Sequence, residues 1–246
     1  MQMFSWCKAL VCLNFDKLVQ VKLTIIIPTL NEDFLLGRLL ERLLTASNKA
    51  VEIIVVDGGS TDRTAAIAES FHVQFVQCEA SRAKQMNLGA KLAKGNMLYF
   101  VHADTVPPKS YFNDASDIFN SEFDAACYRS KFESKKKIIQ VNAFFTRFNW
   151  LVSRGGDQSL FIKKASFEVL GGFDESMVIM EEYPLIEKLM ENKQLKVLPK
   201  TILISTRKYD NRSWLKVSRA NYTAFKLYKQ GADSSIIRKV YQEKLS

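Results

Sequence analysis

Val51-Glu52-Ile53-Ile54-Val55-Val56-Asp57-Gly58-Gly59-Ser60-Thr61-Asp62 is the stretch that decides the fold. Its first six residues form an apolar, β-branched run, which reads as a buried strand. Gly58 and Gly59 permit a tight turn and a close approach of backbone to ligand. Ser60 and Thr61 offer N-cap hydroxyls to a helix over 64–71. A carboxylate at the carboxyl end of a strand, beside a helix N-terminus, is where open α/β sheets bind nucleotides. Asp57 would accept hydrogen bonds from base or ribose there, while nearby N–H groups favour anions. An ordinary strand-to-helix turn would use the same residues.

The same alternation extends on both sides. A strand at 23–27 leads to a helix at 32–45 with Leu35, Leu36, Leu39, Leu40 and Leu43 on its apolar face. Strands are expected at 51–56, 73–76 and 97–101, and helices at 64–71, 82–94 and 111–120. Strands alternating with helices imply parallel βαβ units. The second half is less regular. Residues 123–132 read as a strand at a sheet edge, and 158–162 as another strand. Residues 138–152 are rich in Phe and Trp, broken by Arg147 and Asn149. A helix at 181–192, a strand at 195–205 containing Pro199, and a last helix at 213–230 closed by Gly231 complete the pattern.

A chain of 246 residues with 47% hydrophobic content suits one α/β domain plus a small appendage. No repeat is present, and no apolar run reaches the ~18 residues of a membrane-spanning helix. Cys7, Cys12, Cys78 and Cys127 show no CxxC spacing, which indicates neither a zinc site nor a disulfide framework. A reducing cytosol is expected. The net charge of +9 is uneven. Residues 193–246 hold 13 Lys/Arg against 3 Asp/Glu, or +10, while 1–192 hold 22 against 23, or −1. Such a tail suits an anionic partner, or serves as a solubilising face. Residues 1–22, with Phe4, Trp6 and Leu10, read as a leader or amphipathic segment without a secretory cleavage site.

Four segments occur in a fixed order. They are Thr24-Ile25-Ile26-Ile27-Pro28-Thr29-Leu30-Asn31-Glu32, then Val56 to Asp62, then His102-Ala103-Asp104-Thr105, then Gly171-Gly172-Phe173-Asp174 leading to Met180-Glu181-Glu182-Tyr183. In that order and spacing they resemble the family 2 glycosyltransferases of GT-A fold. The match covers about residues 23–205. Gly155-Gly156-Asp157-Gln158-Ser159 and Arg82-x-x-Gln85-x-Asn87-x-Gly89 make the chain similar to a small selenodomain-associated subgroup. The resemblance implies an α/β fold of GT-A type: a Rossmann-like, mostly parallel central sheet flanked by helices. It implies a domain over 23–206 and leaves 207–246 as a basic helical extension.

The resemblance also implies the chemistry: an inverting, metal-dependent transfer of sugar from a nucleotide sugar, commonly a UDP-sugar, to an acceptor hydroxyl. Pro28, Thr29, Glu32, Asp57 and Arg82 fall where the family holds the nucleotide. Asp104 matches the last Asp of the family's metal-binding Asp-x-Asp, where Mn²⁺ or Mg²⁺ would bind. His102 replaces the first Asp; it suits ribose or phosphate, or a softer metal. Glu182 takes the place of the general base, usually Asp, with Glu181 as the fallback. Asp157 belongs to the acceptor-side loop, and Arg207 to a cation over the diphosphate. The implied partners are a nucleotide-sugar donor and a hydroxyl-bearing acceptor, lipid or saccharide. No nucleic-acid partner is expected.

The helix at 213–230 puts Lys216, Arg219 and Lys226 on one side and Trp214, Val217, Phe225 and Tyr228 mostly on another. That pattern suits either an anionic membrane surface or packing on the domain. The expected location is cytoplasmic, peripheral at the inner membrane face. Two other functions stay open: a nucleotidyltransferase, and a degenerate transferase fold that binds nucleotide or membrane. A dehydrogenase is disfavoured, because Pro28-Thr29-Leu30-Asn31 stands where GxGxxG would follow the first strand.

Overall fold

The computed structural model describes residues 20–46, 51–134, 136–209 and 212–246. The amphipathic leader lies outside the described residues. Strands β1 (Leu23–Thr29), β2 (Glu52–Asp57), β3 (Gln74–Gln77) and β4 (Met97–Phe100) run parallel, with β1 between β2 and β4 and β3 outside β2. Helices α1 (Asp33–Ala46), α2 (Thr64–Ser70) and α3 (Arg82–Leu92) connect them. Every residue of β1 and β4 is buried. Ile25, Ile27, Ile53 and Val55 pack with Leu36, Leu39, Leu40 and Leu43 of α1. Their neighbours Ile26, Ile54 and Val56 pack with Ala83, Met86 and Ala90 of α3. Burial on both faces is why these strands read as unbroken apolar runs. Gly89 lets α3 approach β1, since a Cβ there would lie 2.4 Å from Ile26 Cγ2.

The second half adds β5 (Thr105–Val106), α4 (Tyr111–Phe119), β6 (Ala125–Phe132) and α5 (Ile139–Phe145). Then come β7 (Leu160–Lys163), α6 (Lys164–Leu170), α7 (Tyr183–Glu191) and β8 (Leu195–Ile204), followed by α8 (Trp214–Lys229) and α9 (Ser234–Leu245). The sheet order is β3-β2-β1-β4-β7-β6-β8-β5. β7 runs antiparallel to β4 and β6, and β5 antiparallel to β8, so the sheet is mixed but mostly parallel.

Several expectations change. β6 is interior, not at an edge, because β8 pairs with it through an irregular register. Cys127 faces Val197 and Arg129 faces Thr201, so residues 198–200 oppose Tyr128 alone. Pro199 falls in that irregularity, the kind of place where a strand tolerates a missing N–H. The acidic pair precedes α7 and does not lie in its first turn: Glu182 is the N-cap and Pro184 stands in the opening turn. α8 is not the last helix. Gly231 ends it at φ 72°, and Asp233 accepts from Ser235 N at 2.8 Å to start α9. Ala224 and Ile237 share a cluster with Met180 and Tyr183, and Phe225 and Tyr228 pack on it. Much of the apolar side of α8 expected at a membrane is therefore covered by protein. Among the described residues, no helix is long and apolar enough to cross a membrane.

Candidate active site

β1 lies between β2 and β4, so the winding reverses beside it. Ligands in such sheets bind beyond the carboxyl ends of the strands at that reversal. A cleft of about 1040 Å³ opens there. Pro28, Thr29 and Glu32 line it after β1, and His102 and Asp104 after β4. Arg82 enters from the start of α3, Asp157 from the loop before β7, and Glu181 and Glu182 from the turn before α7. The cleft thus gathers nine of the expected residues; Asp57 and Arg207 are not on its lining.

Asp57 is fully buried. Its Oδ2 accepts from Gly59 N at 2.9 Å and Ser60 N at 2.7 Å, and its Oδ1 accepts from the hydroxyls of Thr29 and Ser60. The carboxylate expected to meet base or ribose is occupied in building the turn, as Asp often is after a strand. Asn31, at φ 56°, locks this turn to the end of β1: its N–H donates to Ser60 Oγ at 2.7 Å, and its Oδ1 accepts from Thr61 N at 2.9 Å. Gln85 is buried and holds both strand ends, donating to Thr29 O at 2.7 Å and Val56 O at 2.8 Å.

Arg207 reaches the cleft through Glu32, donating from Nη2 to both carboxylate oxygens at 2.8 Å. Those hydrogen bonds, with the nearby charges of Glu32 and Asp104, raise the Arg207 pKa despite partial burial. Glu32, Arg207 and Asp104 thus form an acid–base–acid row linking the ends of β1, β8 and β4. The backbone of Asp104 is fixed to the end of β8 by Ser205 N at 2.9 Å.

The deepest cluster joins three segments. Glu182 Oε1 accepts from Gly156 N at 2.7 Å. Gly156 packs against His102, and a Cβ there would lie 2.5 Å from His102 Cε1. Glu181, buried, accepts from Arg82 Nη1 at 3.1 Å. Desolvation within the cleft works against the charge of Arg82, whose side chain is 54% exposed, but attraction from Glu181, Glu182 and Asp157 outweighs it and raises the pKa. Burial, then repulsion from Glu181, pushes the Glu182 carboxyl up to about 7, against the opposing pull of Arg82. Met180, the residue before the pair, sits at φ 63°, a backbone region that non-glycine residues seldom adopt.

Among the described residues, no group of three or more His, Cys, Asp or Glu side chains is placed to hold a metal ion. Hard divalent ions often bind through one or two carboxylates, with substrate phosphates and water completing the shell. Asp104 fits an ion carried with a diphosphate, not a cage made by protein alone.

Sequence reasoning missed several cleft residues. Gln85 and Gly156 were visible as members of their runs, without a role. Arg154 is buried; its guanidinium donates to Phe148 O at 2.8 Å and Cys127 Sγ at 2.9 Å, and Tyr183 Oη donates to its carbonyl at 2.7 Å. Asn221 of α8 and Arg238 of α9 form part of the outer wall. No local signal marks them, because α8 and α9 reach the cleft only through tertiary packing.

This sheet order, with an acid-lined cleft at its reversal, is that of a GT-A transferase domain. Residues 24–161 match Glycosyl transferase family 2, and the chain belongs to that family. It is similar to glycosyltransferase GlyA of Streptococcus pneumoniae, 26% identical over 233 residues that cover 91% of this chain but 28% of that protein. It shares its fold with S. aureus TarS 1-349 in complex with UDP, at 19% identity and TM-score 0.64, covering 91% of this chain and 70% of that one. It also shares it with the mannosyltransferase PcManGT from Pyrobaculum calidifontis in complex with GDP-Man and Mn²⁺. There the identity is 18% and the TM-score 0.67, covering 86% of this chain and 64% of that one.

Proposed function

We propose that this protein transfers a glycosyl group from a nucleotide-diphosphate sugar, a UDP-sugar by preference, to an acceptor hydroxyl with inversion at the anomeric carbon. The observation that carries this reading is Glu182: a cleft-lining carboxyl aimed by the Gly156 N–H, with a pKa raised to about 7. A base works best when its pKa lies near the working pH. Glu182 takes the acceptor proton, the acceptor oxygen bonds to the anomeric carbon, and the bond to the nucleoside diphosphate breaks. Glu181 is paired with Arg82, which leaves Glu182 as the base and Glu181 as the group that helps raise its pKa. Asp157 orients the acceptor hydroxyl.

Pro28 and Thr29 border the nucleoside, and Glu32, Arg82, His102 and Arg207 surround the ribose and diphosphate. Asp57 shapes the turn beneath them. Asp104 would hold a divalent ion, which when bound screens the charge on the leaving diphosphate. The nucleotides bound to TarS and PcManGT support this donor class, and the Mn²⁺ of PcManGT supports the ion. A cytosolic setting suits the free thiols Cys78 and Cys127. The test is a thermal-shift screen of nucleoside diphosphates and their sugars with and without Mn²⁺, followed by product analysis. Stabilisation and release of a nucleoside diphosphate are expected. Release of pyrophosphate would mean nucleotidyl transfer, and no stabilisation by any nucleotide would refute the reading.

A further inference from the structure

α5 carries apolar residues on both its buried and its exposed sides, with Gln140 and Asn142 as its polar positions. Ile139 and Ala143 are buried in the core, while Ile138, Val141, Phe144, Phe145 and Phe148 stand exposed around them. Trp150 and Val152 extend the exposed set and are 52% and 47% accessible. A helix that shows apolar residues to solvent as well as to the core has a face that a second surface can cover. Soluble monomers rarely expose so large a contiguous apolar patch without a use for it.

The patch is held in place. Gln140 Nε2 donates to Phe132 O at 2.8 Å, and Thr146 Oγ1 accepts from Ser130 N at 2.9 Å. The buried Arg154 guanidinium donates to the carbonyls of Thr146 and Phe148, which fixes the loop after α5. Phe148 and Trp150 stack at 4.6 Å, and Arg147 lies 3.9 Å over the Phe144 ring. Asn142 Nδ2 donates to Ser218 Oγ at 3.2 Å, which joins α5 to α8. Leu215 and Tyr222, one turn either side of Ser218, are exposed and prolong the patch.

The charge around this face has one sign. Lys136, Lys137 and Arg147 are exposed, and no Asp or Glu occurs between Glu133 and Asp157. On α8, Lys216 and Arg219 are exposed, and no acidic residue occurs between Asp210 and Asp233. Aromatic and aliphatic side chains ringed by cations match an anionic lipid surface, where rings enter the headgroup region and Lys and Arg stay at the phosphates. Phe145, Trp150 and Val152 also line the cleft, so patch and cleft are continuous.

We propose that this aromatic face docks on an anionic phospholipid bilayer, so that the acceptor end of the cleft opens at the lipid surface. If the transferase reading holds, on which this consequence rests, the acceptor hydroxyl is carried by a membrane lipid. The experiment is co-sedimentation of the full chain with phosphatidylcholine vesicles, with and without phosphatidylglycerol. It is run for the wild type and for Ile138→Ser, Phe144→Ser and Phe148→Ser combined, none of which lines the cleft. Sedimentation velocity reports the oligomeric state, and thermal melting confirms that the triple variant folds. Wild type should bind the anionic vesicles and release at high salt. The triple variant should lose roughly a hundredfold in vesicle affinity, with its nucleotide-induced thermal shift unchanged. Absence of binding to any vesicle, or equal binding to neutral ones, would overturn the proposal. So would a wild-type dimer that the triple variant abolishes, because a second copy would then cover the face. None of these outcomes depends on transferase activity.

Discussion

Replacing Gly156 with Ala puts a methyl group 2.5 Å from Cε1 and 3.0 Å from Nε2 of His102, and 3.5 Å from Oε1 of Glu182. Non-bonded carbons settle near 3.5–4.0 Å, so the ring must retreat by about 1 Å. Overpacking of this kind costs about 1–3 kcal/mol. In a domain of this size that lowers Tm by roughly 2–12 °C. The Gly156 N–H survives and still donates to Glu182, but the loop carrying it is displaced. A 1 Å misplacement near reacting groups lowers rates by up to about a hundredfold. Steady-state kinetics on Gly156→Ala should show kcat reduced roughly 10- to 100-fold, with the protein folded. Gly155→Ala is the control: beyond its two chain neighbours nothing lies within 4 Å of its added Cβ, and its φ of −177° is open to any residue. His102→Ala combined with Gly156→Ala should recover Tm, because removing the ring removes the overlap. Wild-type kcat and Tm in Gly156→Ala, or equal damage from Gly155→Ala, would refute the proposed packing of Gly156 against His102 and Glu182.

Gln85→Ala should lose about 1–3 kcal/mol in denaturant unfolding, since two buried hydrogen bonds are removed while Thr29 O keeps the Gly58 N–H; a loss under about 0.5 kcal/mol would mean that the strand ends do not depend on it. Glu182 also sets a stability trend. Between its ordinary value and about 7 the native state holds a proton that the unfolded chain has released, so stability falls as pH rises through that window. Glu182→Gln should therefore unfold at higher denaturant than wild type at pH 8, by up to about 3 kcal/mol, with the gain absent near pH 4; a variant less stable than wild type at pH 8 would reverse the assigned sign. Asp104→Asn should raise the Mn²⁺ needed for half-maximal activity more than His102→Ala does, because a carboxylate suits a hard ion. The opposite order would make His102 the ligand.

The first half of the fold was legible because its strands are buried on both faces and its helices carry one apolar stripe. Ile25 to Ile27 and Ile53 to Val56 could hardly be read otherwise. β6 misled because its pairing with β8 depends on an irregularity opposite Tyr128, which no local pattern announces. α9 was missed because Gly231 does end α8, and the restart is signalled only by Asp233 as the N-cap that accepts from Ser235 N. The cleft residues were found by motif, but their relations were not. Glu182 meets Gly156 and Arg207 meets Glu32 only through the fold, at separations of 26 and 175 residues. The burial that commits Asp57 to its own turn is likewise a tertiary fact.

The pH dependence of kcat and kcat/KM for wild type and Glu182→Gln, with donor affinity measured separately by calorimetry, addresses the base directly. Wild-type activity should rise with pH through an inflection near 7, as Glu182 releases its proton. Glu182→Gln should lose about 10²–10⁴-fold in kcat, lose that inflection, and keep nearly the same donor affinity. Glu182→Asp should retain part of the activity, because the carboxylate survives and only its reach changes. A Glu182→Gln enzyme with wild-type kcat, or one that keeps the inflection near 7, would contradict Glu182 as the base.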